Sequence, residues 1–355
     1  MRSIRTGAPV LVGTAVAAGA LLVAGCSSGG SSSSSSAAGG TSTGSGSAPV
    51  TVRLGYLANI THAPALIAQK NGYFSKELGS AGTVKTSTFT SGTQETTAIL
   101  AGQLDAAYVG PNPAINAWQK SNGTAIKVVS GVATGGASVV VKPSITSAAQ
   151  LKGQSVASPS LGNTQDVAVR YWLKQQGLTT STTGGGDVAI KPTAPNSAAV
   201  LEFKSGQIAG ASEPAPYDVQ MVQDGGKVLL SEPGVTTVLM VTQSFLSAHP
   251  DVVNDLLRAN LDALNYIKAS PAKAEQAAND ELAAYTGKPL SAKVLDPAFK
   301  EITFTADPDA KSLTADAQQA TSVGLLKAVN LNGIFDLAPL NSILTAADQP
   351  KVSAG

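Results

Sequence analysis

From Val50 onward, short β-rich runs alternate with helical periods, and this alternation narrows the available folds more than any other feature of the chain. The sequence predicts strands over 50–57 (VTVRLGYL), 84–89, 105–109 and 126–132, separated by helices over 63–78, 93–103 and 113–120. The same rhythm resumes after Lys152: a strand over 155–157, a helix from Thr164, a strand from Val188, a helix from Ser197, a strand near 208–211 and a helix from Pro214. One more strand is predicted over 238–242, and the remainder reads as helices over 251–268, 271–285 and 309–329. Alternation of this kind builds a parallel sheet with helices on both faces. Two such units with a late return strand predict two lobes joined by two crossings, placed at 139–143 and 233–238, where paired strands make a stiff hinge. Lobe I then takes 50–142 and 237–355, and lobe II takes 143–236. The folded part, about 300 residues, is long enough for two lobes and a large core.

The segment before Val50 reads differently. Arg2 and Arg5 precede an apolar run over 8–24 that is too short and too rich in Gly and Ala to span a bilayer but has the size of a signal-peptide core. It ends in LLVAGC, so 1–25 is read as a lipoprotein signal peptide and Cys26 as the lipidated first residue of the mature chain. A buried or chance cysteine is the alternative; against it, Cys26 is the only cysteine and has no disulfide partner within the chain. The Ser/Gly-rich stretch 26–49 holds nothing that could form a core and is read as a tether with a reach of about 25 Å. These features predict a lipid-anchored protein on the extracytoplasmic side of the cell membrane.

Without Arg2 and Arg5 the balance is 22 basic against 23 acidic side chains, with no basic stripe, so nucleic acid is not an expected partner. The folded part has no Gly-x-Ser-x-Gly elbow, no His-Glu-x-x-His, no cysteine pair and no Walker-type loop. Gly225-Gly226-Lys227 lacks the rest of that last motif and reads as a helix end. No catalytic residue, metal site or cofactor is therefore expected.

In open parallel sheets, ligands sit beyond the carboxyl ends of strands, against the starts of the following helices. Thr61 is read as an N-cap with His62 at the first helical position. Ser91 and Gln94 stand at capping-box spacing, as do Asn163 and Asp166. Any one of these turns alone is simply a capped helix. Together they would line a cleft with free N–H groups and small hydroxyls, and helix starts attract anions. Gly92 and Gly162 would let a ligand approach the backbone, and Asp166 is read as a cap, not a contact. Thr164 and Gln165, with Ser91 and Thr93, are the expected donors to an anionic head.

The stretches GYLANITHAPALIAQKNGYF, AGQLDAAYVGPNPAIN, VASPSLGNTQDVAVRYWLKQQGL and ASEPAP resemble the aliphatic sulfonate-binding proteins of ABC importers, a family that also holds nitrate-, taurine- and pyrimidine-precursor-binding members. The resemblance runs through 50–343 in order. It implies an α/β, two-lobed type II periplasmic-binding-protein fold with two hinge crossings and a helical C-terminal region. Carried over residue by residue, it places the solute at the turn of Asn59, Thr61 and His62, at Ser91, Gly92 and Thr93, at Gly110 and Asn112, at Gly162, Asn163, Thr164 and Gln165, and at Glu213. Relatives often carry an aromatic residue before this Glu-Pro, where this chain has Ser212. The implied partners are a small anionic solute, an aliphatic sulfonate first, and an ABC permease with its cytoplasmic ATPase, served by a monomer. A solute sensor is a rival reading. An enzyme on the same fold would want a His/Cys/Lys cluster that this sequence lacks.

Overall fold

A computed structural model describes residues 48–354. The expected signal peptide, Cys26 and the tether up to residue 47 lie outside the described residues.

The first sheet starts from a βαβαβ unit. Val50–Leu57 (β1) is followed by Ala63–Lys70 (α1) and Tyr73–Leu78 (α2), then Gly82–Phe89 (β2), Gly92–Leu100 (α3), Ala106–Val109 (β3), Pro111–Lys120 (α4) and Ile126–Gly135 (β4). The helix expected over 63–78 is two helices, because Gly72 adopts a left-handed φ of 71° that a continuing helix cannot accommodate. β1 pairs in parallel with β2 along its whole length and with β3.

The chain then enters a second sheet made of Ala137–Val141 (β5), Ser155–Ser158 (β6), Ala189–Pro192 (β7), Gly210–Pro214 (β8) and Lys227–Ser231 (β9). Thr164–Gln175 (α5), Asn196–Ser205 (α6) and Tyr217–Gln223 (α7) link its strands. It returns through Val235–Thr242 (β10), which lies antiparallel between β3 and β4. Helices Gln243–Ala248 (α8), Pro250–Ala269 (α9), Pro271–Thr286 (α10) and Ala292–Lys300 (α11) follow. The short edge strand Ile302–Phe304 (β11) then precedes Ala310–Ser322 (α12) and Ala338–Ala346 (α13). The orders are β11-β4-β10-β3-β1-β2 and β7-β6-β8-β5-β9.

Four expectations need correction. The sheets are mixed, not parallel: β10 and β11 in the first and β5 and β9 in the second run against their neighbours. The first crossing lies at Gly135-Gly136, not at 139–143, because Val139–Val141 is held in register by β8 and β9. The second crossing occupies 232–234, and the helix expected from Pro214 begins at Tyr217, since β8 runs on through Pro214.

Each sheet is covered on both faces. On one face of the first sheet, Val52, Leu54 and Tyr56 pack with Leu66 and Ile67 of α1 and with Leu256 and Leu257 of α9, so the C-terminal helices complete the first lobe. Full burial of each such leucine contributes about 1.5–3 kcal/mol. On the other face, Val109, Ile115 and Trp118 meet Leu313 of α12. Val139, Val169 and Ile190 fill one side of the second sheet, and Val140, Phe203 and Met221 the other. Among the described residues, no helix is long and apolar enough to cross a membrane.

Candidate functional site

The helix starts of both lobes meet in one small cavity. From the first lobe it is walled by Asn59, Thr61 and His62 after β1, Ser91 and Gly92 at the start of α3, and Gly110 at the start of α4. From the second it is walled by Asn163, Thr164 and Gln165 at the start of α5. The first N–H groups of a helix have no intrahelical acceptor, so three sets of donors converge there. The cavity measures about 20 Å³, room for a water-sized group. A neighbouring cavity of about 470 Å³ shares Leu57, Asn59, Thr90 and Asn196 with it and adds Phe89, Tyr217 and Tyr285.

The lobes touch directly around this space. Ile60 N donates to Ala215 O at 2.9 Å, Tyr217 OH to Ala58 O at 3.2 Å, and Thr93 Oγ1 to Ser160 Oγ at 3.1 Å. Gly110 is the tightest point, since a Cβ there would lie 2.6 Å from Thr164 Oγ1 of the other lobe. Its φ of −65° suits any residue, so the need for glycine comes from the opposing lobe. Gly110→Ala should leave the fold intact and weaken lobe closure by about 1–3 kcal/mol through overpacking, read as a roughly five- to hundredfold loss of solute affinity. Titration calorimetry alongside thermal melts checks this; unchanged affinity would show that closure does not bring these two residues together.

Among the described residues, no Lys or Arg lines the cavity. His62 is buried, and its Nδ1 accepts from Leu57 N at 3.2 Å, which places the proton of the neutral ring on Nε2. Burial lowers its pKa to about 3, so it is a neutral donor over the whole physiological range. Thr164 Oγ1 is buried without a partner. Asn163 is the cap: its side chain accepts from Asp166 N at 3.0 Å. Asp166 accepts from Gly162 N at 2.9 Å, Ser158 Oγ at 2.7 Å and Arg170 Nε at 3.0 Å. It is a fully engaged structural carboxylate.

Four expected residues lie outside the cavity wall. Thr93 bonds across to Ser160, and Asn112 Nδ2 donates to Asp316 O at 3.2 Å, which turns it toward α12. Gly162 has a φ of 77°, so backbone conformation, not ligand approach, requires glycine there. Glu213 sits behind Asn196, whose Nδ2 donates to Glu213 Oε2 at 2.6 Å, and burial raises its pKa well above the carboxylate range despite that bond. Helix-start details also differ. Thr61 lies inside a one-turn 3-10 helix, Ile60–His62, which Asn59 precedes, and it donates to Asn59 Oδ1 at 2.8 Å. Ser91 holds the N-cap position, but Gln94 reaches past it to accept from Thr90 Oγ1 at 2.9 Å.

The resemblance extends to Pro214, which walls the cavity, but Asn196 and Thr236, which also line it, are not among the expected residues. Thr236 arrives on β10, just after the second crossing, and no helix-start pattern marks it. Asn196 opens α6 and does carry such a signal, since a strand precedes it.

A family model described as the NMT1-like family matches residues 45–281. The taurine-binding periplasmic protein of Escherichia coli (strain K12) is 28% identical over 215 residues, 59% of this chain, and the match spans 64% of that relative's length. The alkanesulfonate-binding protein SsuA of Xanthomonas axonopodis pv. citri, solved bound to MOPS, superposes with a TM-score of 0.69 at 17% identity, covering 82% of this chain and 100% of its own. The periplasmic nitrate-binding protein NrtA of Synechocystis PCC 6803 superposes with a TM-score of 0.73 at 16% identity, covering 85% of this chain and 90% of its own. The two-lobed architecture is thus that of known periplasmic binding proteins.

Proposed function

Since this chain belongs to the NMT1-like family, we propose that it is the extracytoplasmic solute-binding component of an ABC importer, closing its lobes on a small organic anion, an aliphatic sulfonate first. The observation that carries this reading is the convergence of the α3, α4 and α5 starts on one cavity whose walls bear N–H groups, hydroxyls and a neutral imidazole. Such donors hold an anion without reacting with it, and hydrogen bonds to a charged group contribute about 1.5–3 kcal/mol each. Burial raises the Glu213 carboxyl well above its usual range, which disfavours an opposing charge behind the site. The adjoining 470 Å³ space with Phe89, Tyr217 and Tyr285 suits an organic tail and would go unfilled by a bare inorganic ion, which favours a sulfonate over nitrate.

Thr164→Val keeps the β-branched shape and removes the unpartnered hydroxyl. Affinity should fall roughly ten- to a hundredfold with little change in stability, because Asn163 is the cap. Calorimetry with alkanesulfonates, taurine and nitrate on parent and variant tests both the solute and the contact; normal binding by the variant, or no binding of any of the three by the parent, would overturn the assignment.

The same reading takes 1–25 as a signal peptide and Cys26 as the lipid anchor, with a permease and its ATPase as partners. The lipobox-like LLVAGC supports it. Cys26→Ser should move the protein from the membrane fraction to the soluble one without altering affinity, and continued membrane association after a salt wash would count against the anchor.

A further inference from the structure

A third cavity, of about 350 Å³, borders the small one at Thr164 and Thr236 and has walls from both lobes and from the second crossing. α5 contributes Tyr171 and Trp172, the crossing contributes Glu232, and α12 contributes Asp316. No Lys, Arg or His lines it. Glu232 is 9% exposed; its Oε1 accepts from Ser212 Oγ at 2.7 Å and its Oε2 has no partner among the described residues. Asp316 Oδ2 is buried and also unpartnered. The charged groups facing these two are themselves acidic, Asp218 beside Glu232 and Asp309 beside Asp316. The wall therefore carries two carboxyl oxygens without a protein donor together with two aromatic side chains.

We propose that this cavity binds a small primary ammonium cation, held by Glu232 Oε2 and Asp316 Oδ2 with its carbon chain against Tyr171 and Trp172. The acceptors have no donor to satisfy them, and only a cation that carries N–H groups supplies both charge and donors. Aromatic faces add cation–π attraction and apolar contact. Among the described residues no group of three or more His, Cys, Asp or Glu is placed to hold a metal ion, so a pair of carboxylates with aromatic walls fits an organic cation better. Burial pushes the Glu232 carboxyl up to about 8 and that of Asp316 well above its usual range. An arriving ammonium thus takes the place of a carboxyl proton, which leaves for the buffer. Because the cation contacts both lobes and the crossing, the site also favours the closed arrangement.

The test is calorimetric titration of the purified chain with n-butylammonium chloride near neutral pH, in two buffers of different ionisation enthalpy. Sodium chloride and tetramethylammonium chloride serve as controls. We expect saturable heat with butylammonium that changes with the buffer, as proton release requires. Tetramethylammonium, which has no N–H, should bind about ten- to a hundredfold more weakly. Glu232→Gln and Asp316→Asn should each weaken butylammonium by a similar factor. Absence of saturable heat, equal binding of tetramethylammonium, or parent-like binding by both variants would each overturn the site; the tetramethylammonium arm needs no variant to fold. A butylammonium site that sat instead among the helix starts would ignore both substitutions.

Discussion

Arg170→Met is expected to destabilise the protein by about 3–5 kcal/mol, the usual cost of removing one partner from a buried ion pair. Arg170 is 1% exposed and Asp166 fully buried. The guanidinium gives Nε to Asp166 Oδ2 at 3.0 Å and Nη1 to Ser181 O at 2.8 Å. Without it, a carboxylate that also holds Ser158 and Gly162 is left uncompensated in the interior. The damage should reach the cavity, because those bonds fix the loop that aims Thr164 across at Gly110. A second change, Asp166→Asn on top of Arg170→Met, should restore much of the stability, since an uncharged pair carries no such penalty. Urea melts of the three proteins measure this. A single variant within about 1 kcal/mol of the parent would mean that the pair is dispensable.

Raising the pH from 6 to 9 should destabilise the protein, and Glu232→Gln should remove part of that loss. Burial lifts the Glu232 carboxyl to about 8 and raises those of Glu213 and Asp316 well above their usual range. Burial raises Asp218 of α7 to about 6, against a bond from Ser138 Oγ at 2.8 Å, and Glu301, just after α11, is raised to about 8 by desolvation and by the nearby Asp218. A folded-state value above the unfolded one means that the folded chain binds more protons between about pH 4.5 and 8. Stability is therefore highest at the acidic side of that window and falls as pH rises through the folded values. Ordinary carboxylates are already ionised by pH 6 and contribute no slope there. A loss of a few kcal/mol corresponds to a melting point roughly 5–10 °C lower at pH 9. Glu232→Gln, which keeps the shape and cannot ionise, should show a shallower slope and melt higher than the parent at pH 9. Stability that is flat or rising across this range would refute the account.

The parts of this fold that were legible in the sequence are those whose signals are local. β1 was read at 50–57 and α5 from Thr164, because an alternating run and an Asn cap each fix their own boundary. Strand direction was not legible. Nothing in VTTVLMVT says that β10 will lie antiparallel between β3 and β4. β5 is not distinguishable from a connection in the sequence, because ASVVV is a short buried run that periodicity alone does not classify. Helix-start patterns mark Thr164, Ser91 and His62, which lie on the cavity wall, since capping chemistry is written in neighbouring residues. No local pattern marks Glu232 and Asp316 as a pair, or Asp218 and Glu301. Each pair joins residues far apart in the chain, and only the return of the C-terminal helices to the first lobe brings them together.

The place of β10 also dictates an order of assembly. β4 pairs with β10 and β11 and bridges to Phe335 through Val128, and all of these come after the entire second sheet in the chain. A chain halted after Ser231 holds every strand of the second sheet but leaves β4 unjoined from β1, β2 and β3. The first lobe, begun first, is thus the last to close, and its central strand must be fetched across a long loop whose closure is entropically slow.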